Sequence, residues 1–590
     1  MCFFNNNNKK TIIIPLTLLL SFQTFKTQAD QPTVQFPSFI PPDALRNEKP
    51  KLPDTQLRPP QKKPKFSLPP VNTAPDKNQR LSSTFKIFVK KIQLTGNTAF
   101  TEKELQEIIG SYENRTITNE ELQTLRHQLT RYYIDHGYIN SGVTLPDQDI
   151  NNGIIELQVI EGELSNLNIT GNDWLKSSYI NNRMTQSFTP PLNIKNIQNR
   201  LLLLQQDPLI DQVNAELRPG LKPGESRMNL HITEAKPYQA GIVAANNISP
   251  SIGGISGNIW LTHRNLTGYG DALFFSYSGA EGLSDFSGSY SIPLTADEAR
   301  LKLYYQNSES DVIENPIEDA NIHSRSETYG VSLSQPFFRS PEQSLTLSLA
   351  FEHRRSKTFF NSAPFSFAEG VPEQGDDKGE SKISVLRFSQ DWLHRSQTQV
   401  VAARSTFNLG FDVLGATNNS GDNPDGQFFS WLGQFQWVRL LPLFDSQLLF
   451  RADAQLANES LLPLEKFSVG GMHSVRGYRE NQLVRDNGAV TSLEWRVPIF
   501  RLPIPGLSKT INDGSLQIAT FADFGWSENE DLPTLGPRTI GSWGLGLRWD
   551  PSPLIHSEFY WGVPFRSIKE GTKHDIQDYG IHFQVNIQSF

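Results

Sequence analysis

Few constellations in this 590-residue chain have the residue types and spacing that bond-making chemistry requires. No G-x-S-x-G occurs that would seat a serine nucleophile on a strand–helix turn. Gly370 and Gly375 have phosphate-loop spacing, but Asp376 stands where lysine is needed, so nucleotide binding is not expected. His127 and His136 fall about nine residues apart on a predicted helix, a poor span for one metal ion. Asp376, Asp377, Asp422 and Asp425 fall in predicted loops, where solvated acids are ordinary. No catalytic, cofactor or metal site is therefore expected, and the chain does not read as an enzyme.

The stretch that stands out is Phe467-Ser-Val-Gly-Gly-Met-His-Ser-Val-Arg-Gly-Tyr478. It carries three glycines (Gly470, Gly471, Gly477), a single arginine and flanking aromatics, which points to a loop folded into something. Segments of alternating hydrophobicity flank it. Leu448, Phe450, Ala452, Ala454 and Leu456 share one face, with Arg451 and Asp453 on the other. Leu493, Trp495 and Val497 likewise oppose Glu494 and Arg496. A period of two with charges on the second face marks strands that are apolar outside and wet inside.

Composition sets the frame for these strands. A hydrophobic fraction of 37% argues against a helical membrane protein but not against a β-barrel, whose strands are only half apolar. The net charge of −8, with no basic block, gives no reason to expect nucleic acid as a partner. Residues 1–29 read as a secretory signal, with Lys9 and Lys10 before the apolar run Ile12 to Phe22 and Thr27-Gln-Ala29 as the cleavage site. That run is too short to span a membrane, and no later one approaches the roughly 20 apolar residues a helix needs. Cys2 is the single cysteine and precedes the apolar core, so the mature chain is expected to hold neither disulfides nor thiolate metal sites.

Residues 30–84, rich in proline, lysine and aspartate, read as an extended linker, with a barrel plug as the alternative. Residues 85–162 change to a small α/β module. A strand (Lys86 to Leu94) precedes two helices opened by the capping boxes Thr101-Glu-Lys-Glu104 and Thr118-Asn-Glu-Glu121. The second helix is expected to bury Leu122, Leu125, Leu129, Tyr132 and Tyr133, and strands at Ile139 to Leu145 and Ile154 to Ile160 close the unit. Residues 163–236 repeat the order, with strands at Leu164 to Ile169, Val213 to Leu217 and Met228 to Ile232 and a helix over Leu192 to Gln206. From 237 to 590 only strands are found, about sixteen of them, an even number as single-chain outer-membrane barrels require. Connections alternate long and short, Ile499 to Ser515 being long for its side. Trp260, Trp431, Trp495, Trp543, Trp549 and Trp561 fit interfacial girdles. In the final segment Tyr579, Ile581, Phe583, Val585 and Ile587 are in phase and Phe590 is one position out, which a bulge near Ser589 would repair.

Gly137-Tyr138, Val143-Thr-Leu-Pro146 and Val159-Ile-Glu-Gly162, set in the β-α-α-β-β order, resemble the POTRA domains of two-partner secretion transporters, and Leu217-Arg-Pro-Gly220 with Pro223-Gly224 continues the resemblance in the second copy. Val475-Arg-Gly-Tyr478 resembles the signature of the BamA/TpsB superfamily, Phe521-Ala-Asp-Phe-Gly525 its F-x-D-x-G motif, and Asn265-Leu-Thr-Gly-Tyr-Gly-Asp271 its early barrel turn. The resemblance implies that the long loop folds into the lumen and that Arg476 meets Asp523 on the wall. Strand phase agrees independently, since Leu516, Ile518, Thr520, Ala522 and Phe524 would face out, leaving Phe521 and Asp523 inside. A guanidinium offers a planar fork to a carboxylate, Gly477 permits a tight turn, and Tyr478 can pack on the wall.

The expected fold is thus β-rich: a 16-stranded transmembrane β-barrel preceded by two α/β POTRA domains. By the resemblance the protein sits in the Gram-negative outer membrane with its POTRA domains in the periplasm. It would capture an unfolded exoprotein of haemolysin, adhesin or contact-dependent toxin type, through that partner's N-terminal secretion domain, and secrete it without ATP. Outer-membrane lipids, lipopolysaccharide and, during biogenesis, the barrel-assembly machinery are the other expected partners. Assembly of other outer-membrane proteins is the first alternative, a passive porin or receptor the second.

Overall fold

The computed structural model describes residues 52, 64–68, 86–150, 152–315, 318–366, 378–419, 423–510, 513–568 and 574–589. The expected signal segment, most of the linker, Gly370, Gly375, Asp376, Asp377, Asp422 and Phe590 lie outside the described residues.

In the first α/β module the helices form where their caps are written. Thr101 Oγ1 accepts the Glu104 amide at 3.4 Å while Glu104 accepts the Thr101 amide at 2.8 Å, opening α1 (Glu102–Ile109). Thr118 and Glu121 repeat the exchange at 3.2 and 2.8 Å, opening α2 (Asn119–Asp135). Leu122, Leu125, Leu129 and Tyr133 recur at helical spacing and are buried, whereas Tyr132 is only partly so. Each fully buried leucine contributes about 1.5–3 kcal/mol. Below the helices lies the sheet β3 (Lys91–Thr95), β6 (Ile154–Ile160), β5 (Gly142–Thr144), in that order. The expected strand Lys86 to Leu94 is broken at Lys90. Its first half, β2 (Lys86–Val89), pairs separately with β4 (Arg115–Thr118).

The second module has the sheet order β1 (Lys65–Ser67), β8 (Ile210–Pro219), β9 (Glu225–Glu234), β7 (Glu163–Thr170) under α3 (Ser177–Thr185) and α4 (Ile194–Gln205). The expected helix over Leu192 to Gln206 corresponds to α4, whereas α3 carries no N-terminal signal, since its N-cap, Lys176, makes no capping side-chain bond. Lys65–Ser67 fall within the expected linker. Here those residues pair in parallel with Asn214 to Glu216, and Phe66 packs on the module core. The family-like glycines lie at the joint between modules. The Gly137 carbonyl accepts the Ile194 amide at 2.9 Å and the Gly162 carbonyl the Leu192 amide at 2.7 Å. A Cβ on Gly162 would collide with the Asn140 carboxamide, which bonds Gly224 O and Ser226 Oγ at 3.0 Å each.

The remainder is one closed antiparallel barrel. Its strands are β10 (Tyr238–Ala245), β11 (Ser256–His263), β12 (Ala272–Ala280), β13 (Leu283–Pro293), β14 (Arg300–Asp311), β15 (His323–Arg339), β16 (Gln343–Phe360), the two-residue β17 (Ala363–Pro364), β18 (Glu380–Arg395), β19 (Gln399–Phe411), β20 (Phe429–Leu441) and β21 (Ser446–Ala457). A short hairpin of β22 (Phe467–Val469) and β23 (Leu483–Arg485) lies within the next loop. Then come β24 (Asn487–Arg501), β25 (Ser515–Glu528), β26 (Thr539–Ser552), β27 (Ile555–Pro564) and β28 (Ile581–Gln588), which pairs back onto β10. Leaving out β17 and the loop hairpin, sixteen strands close the wall.

Leu493, Ile518, Phe524, Trp543 and Trp561 face outward and exposed, as the alternation predicts. Long connections, such as 312–322, 361–379 and 458–486, share one rim, although the turn 281–282 on that rim is tight and 502–514 on the other is long. Tyr579 ends a 3-10 turn rather than starting the last strand, and Ser589 bonds Ala240 at 2.7 and 3.0 Å. The second module docks on the rim of short connections at the turn Asn265 to Asp271. There the Lys176 amide donates to Gly268 O at 3.0 Å, and a Cβ on Gly270 would press on Tyr179. Asn265 and Asp271 hold the turn from within, accepting the Gly270 and Thr267 amides at 3.0 and 2.9 Å.

Candidate functional site

Pairing register assembles the lumen wall. Across β24 and β25, Ser492 lies opposite Asp523 and Glu494 opposite Phe521. Across β25 and β26, Phe521 meets Gly544, which faces Gly562 on β27, and Tyr560 lies opposite His582 on β28. These residues all point inward because their neighbours point out. The loop 458–486 enters the lumen above them.

Arg476 is the centre of the contact. Its Nε donates to Asp523 Oδ2 at 2.8 Å and its Nη2 to Asp523 Oδ1 at 2.9 Å, a bidentate fork, while the Arg476 amide donates to Oδ2 at 3.0 Å. Nη2 also reaches Ser492 Oγ at 3.0 Å, and Nη1 pairs with Glu494. The guanidinium carbon lies 3.6 Å from the Phe521 ring centre and 4.7 Å from that of Tyr560. The Arg476 and Asp523 side chains are 5% and 0% exposed, so the pairing is desolvated and removing either partner strands the other. Two carboxylates around one cation are balanced by Arg496, which donates to Glu494 at 2.5 Å, while Tyr560 O–H donates to the same carboxylate at 3.2 Å.

The neighbouring loop residues explain their identities by space. Gly477 has φ +90°, and a Cβ there would lie 2.9 Å from the Gly562 carbonyl carbon. Its amide donates to His582 Nε2 at 3.1 Å. Tyr478 O–H donates to Gly541 O at 3.0 Å. Val475 is fully buried against the Gly525 backbone, where any side chain would overlap Val469 and Val475. Val475, Arg476, Gly477, Tyr478, Phe521, Asp523 and Gly525 therefore meet in one cluster.

Two further fastenings were not foreseen. At the loop's entry Glu465 accepts Arg354 Nη1 at 2.6 Å and Arg387 Nη2 and Nη1 at 2.7 and 3.0 Å. Arg387 also holds Glu352 at 2.9 Å. At its exit Arg479 forks onto Asp578 at 2.5 and 2.7 Å and reaches Glu314 at 2.7 Å. Ser492, Tyr560 and His582 likewise carry no motif that marks them in the sequence. For Glu494 the available signal is strand phase, which puts it on the wet face opposite Leu493 and Trp495.

His127 lies on the outer side of α2, and His136 caps that helix through Tyr132 O. Among the described residues no cluster of metal-ligating side chains occurs.

A closed sixteen-stranded barrel with an apolar outer wall, a loop folded inside and two tandem α/β modules, the second docked on one rim, defines the class: an outer-membrane β-barrel transporter with POTRA domains. Residues 224–549, more than half the chain, match the family model for haemolysin secretion/activation protein ShlB/FhaC/HecB, and residues 87–162 match the ShlB-type POTRA domain. The chain belongs to this family of two-partner secretion transporters. It is 26% identical over 432 residues to the outer membrane transporter CdiB of Dickeya dadantii (71% of this chain, 74% of that relative). It is 23% identical over 423 residues to the hemolysin transporter protein ShlB of Serratia marcescens (67% and 70%). The fold is similar to CdiB from Escherichia coli, with a TM-score of 0.65 at 20% identity over 88% of this chain and 94% of that one. It is also similar to BamA from Haemophilus ducreyi lacking POTRA domains 1–3, with a TM-score of 0.51 at 17% identity over 86% and 100%. The protein lies in the outer membrane with its POTRA domains in the periplasm, so the rim that meets the second module is the periplasmic one.

Proposed function

We propose that this transporter captures its exoprotein unfolded in the periplasm and passes it through the barrel without ATP, and that the Arg476–Asp523 contact holds the lumen loop in the position from which transport proceeds. The observation that carries the reading is the desolvated fork of Arg476 on Asp523, which fixes a long loop across the path a chain would take. For capture, an extended chain needs a sheet edge. In the second module β1 already covers β8, whereas in the first β5 pairs only with β6 among the described residues. The β5 edge, which no strand covers among the described residues and whose Val143 amide is held by Thr130 Oγ1, is thus the first place for cargo to add, and β8 becomes available if β1 leaves. The outer membrane holds no ATP, so folding of the exoprotein outside supplies the drive.

The purified full-length protein should bind the unfolded N-terminal domain of the exoprotein encoded beside it and ignore unfolded porin precursors. The Val143 amide donates to Thr130 Oγ1 at 3.0 Å, so replacing Val143 with proline removes the edge N–H that cargo would have to take over from Thr130 and should weaken that binding about tenfold. Equal binding of porin precursors would move the reading to outer-membrane protein assembly.

A further inference from the structure

The outer face of β14, β15, β16 and β18 changes character along the strands. On β16 the lipid-facing residues Leu345, Leu347, Leu349 and Phe351 are followed by His353, Arg355 and Lys357, whereas the alternate residues Glu352 and Arg354 meet lumen partners. At about 3.3 Å per residue and a tilt near 40°, Leu345 to His353 covers roughly 20 Å of height. Arg355 therefore sits at the outer edge of the apolar band, which is about 25 Å tall in such barrels.

Register brings further charges beside it. Lys382 lies opposite Arg355 and Glu380 opposite Lys357, while on the other flank Glu327 faces Arg355 and Arg325 faces Lys357. Arg355 forks onto Glu380, and Lys382 and Lys357 approach the same carboxylate at 3.4 and 3.8 Å. Three cations thus share one carboxylate that is only 2% exposed, while the Arg355 side chain is 49% exposed. Arg325 pairs with Glu309 at 2.8 Å. With Glu327 and Asp311, which follows Glu309 in phase, the described residues of this face hold four cations and four carboxylates, but on β16 and β18 three cations meet one carboxylate, so the local excess of positive charge lies there.

Immediately below is a groove of about 660 Å³ in the lipid-facing wall. It exists because Gly288 has no side chain between Phe275, Phe286 and Tyr305, and it runs along Leu303 and Tyr329 to His353, two residues from Arg355. An apolar groove leading up to exposed cations at the outer-leaflet boundary has the shape of an acyl chain topped by a phosphate.

We propose that this face binds a phosphorylated glycolipid of the outer leaflet, of the lipid A type, with an acyl chain beside Gly288 and a phosphate on Arg355, Lys357 and Lys382. The inference rests on the outer-membrane location and not on the transport reading. The test is native mass spectrometry of the full-length protein in detergent, titrated with diphosphorylated hexa-acyl lipid A. Parallel titrations use the dephosphorylated lipid A, phosphatidylglycerol and inorganic phosphate. Wild type should retain lipid A at least tenfold more strongly than the triple variant Arg355→Gln, Lys357→Gln, Lys382→Gln, with heat-modifiability unchanged in the absence of lipid. Should the triple variant not fold, Gly288→Leu, which fills the groove and keeps every charge, is read in the same titration and should weaken binding several-fold. Equal retention by wild type and the folded variants would overturn the proposal. So would equal binding of dephosphorylated lipid A or phosphatidylglycerol, or saturation by inorganic phosphate alone.

Discussion

Replacing Arg476 by lysine keeps the charge and most of the stem but removes the fork. The guanidinium makes four side-chain bonds at once: two to Asp523 at 2.8 and 2.9 Å, one to Ser492 at 3.0 Å and one to Glu494. An ammonium donates from one point and can serve Asp523 or Glu494, not both carboxylates in plane. Two charge-assisted bonds are then lost, each worth about 1.5–3 kcal/mol. The docked loop should weaken by about 3–6 kcal/mol, a factor of roughly a hundred or more in its undocking equilibrium. Hydrogen-exchange mass spectrometry on the full-length protein reads this directly. The Arg476 and Gly477 amides donate to Asp523 and His582, so their exchange tracks undocking. In Arg476→Lys they should exchange about a hundredfold faster while amides of β24 and β25 stay protected. Unchanged exchange at 476 and 477 would refute the claim that the fork holds the loop.

Three other outcomes follow from the same geometry. Gly525→Ala places a methyl against Val469 and 2.9 Å from Val475 Cγ2, an overpacking cost of about 1–3 kcal/mol. The loop should loosen without any change of charge, and an exchange pattern identical to wild type would contradict the packing. Glu465→Gln leaves Arg387 its Glu352 partner but strips Arg354 of a carboxylate, so protection should fall about tenfold around Leu461 to Val469 and stay intact at Arg476. In the second α/β module burial pushes the Asp207 carboxyl up, so the folded state holds that proton more tightly than the unfolded chain. The resulting stability is fully present below the unfolded pKa, about 4, and is lost as pH rises through the higher folded value. Asp207→Asn should flatten the pH dependence of that domain's exchange protection, and an unaltered slope would exclude the mechanism.

How much of this was legible in the sequence varies with the kind of signal. Alternation identified the strand faces and placed Asp523 and Phe521 inside, because lipid on one side makes every second residue apolar. It gave poor strand ends. The expected run Leu345 to Phe351 is only the first half of a strand reaching from Gln343 to Phe360, since beyond the apolar band the outward residues turn charged while the ladder continues. Capping boxes located α1 and α2, and the absence of a side-chain cap hid α3. Arg476 and Asp523 came together through motif resemblance, but Tyr560 and His582 join them only through cross-strand register, which one sequence does not reveal. Glu465 follows Leu-Pro-Leu with no periodicity to mark it. Lys65–Ser67 is a three-residue strand in a proline-rich stretch, and only its pairing with β8 gives it away.

In the proposed function the lumen loop, held by Arg476, serves export of an exoprotein. The most direct measurement is release of the exoprotein encoded beside this gene into the culture supernatant, with wild type and Arg476→Ala co-expressed in parallel and both barrels checked for heat-modifiability in the outer membrane. Wild type should release the exoprotein, and Arg476→Ala should lose at least tenfold at equal barrel levels. Equal release by both would contradict that role, and so would absent release accompanied by depletion of other barrel proteins when the gene is deleted.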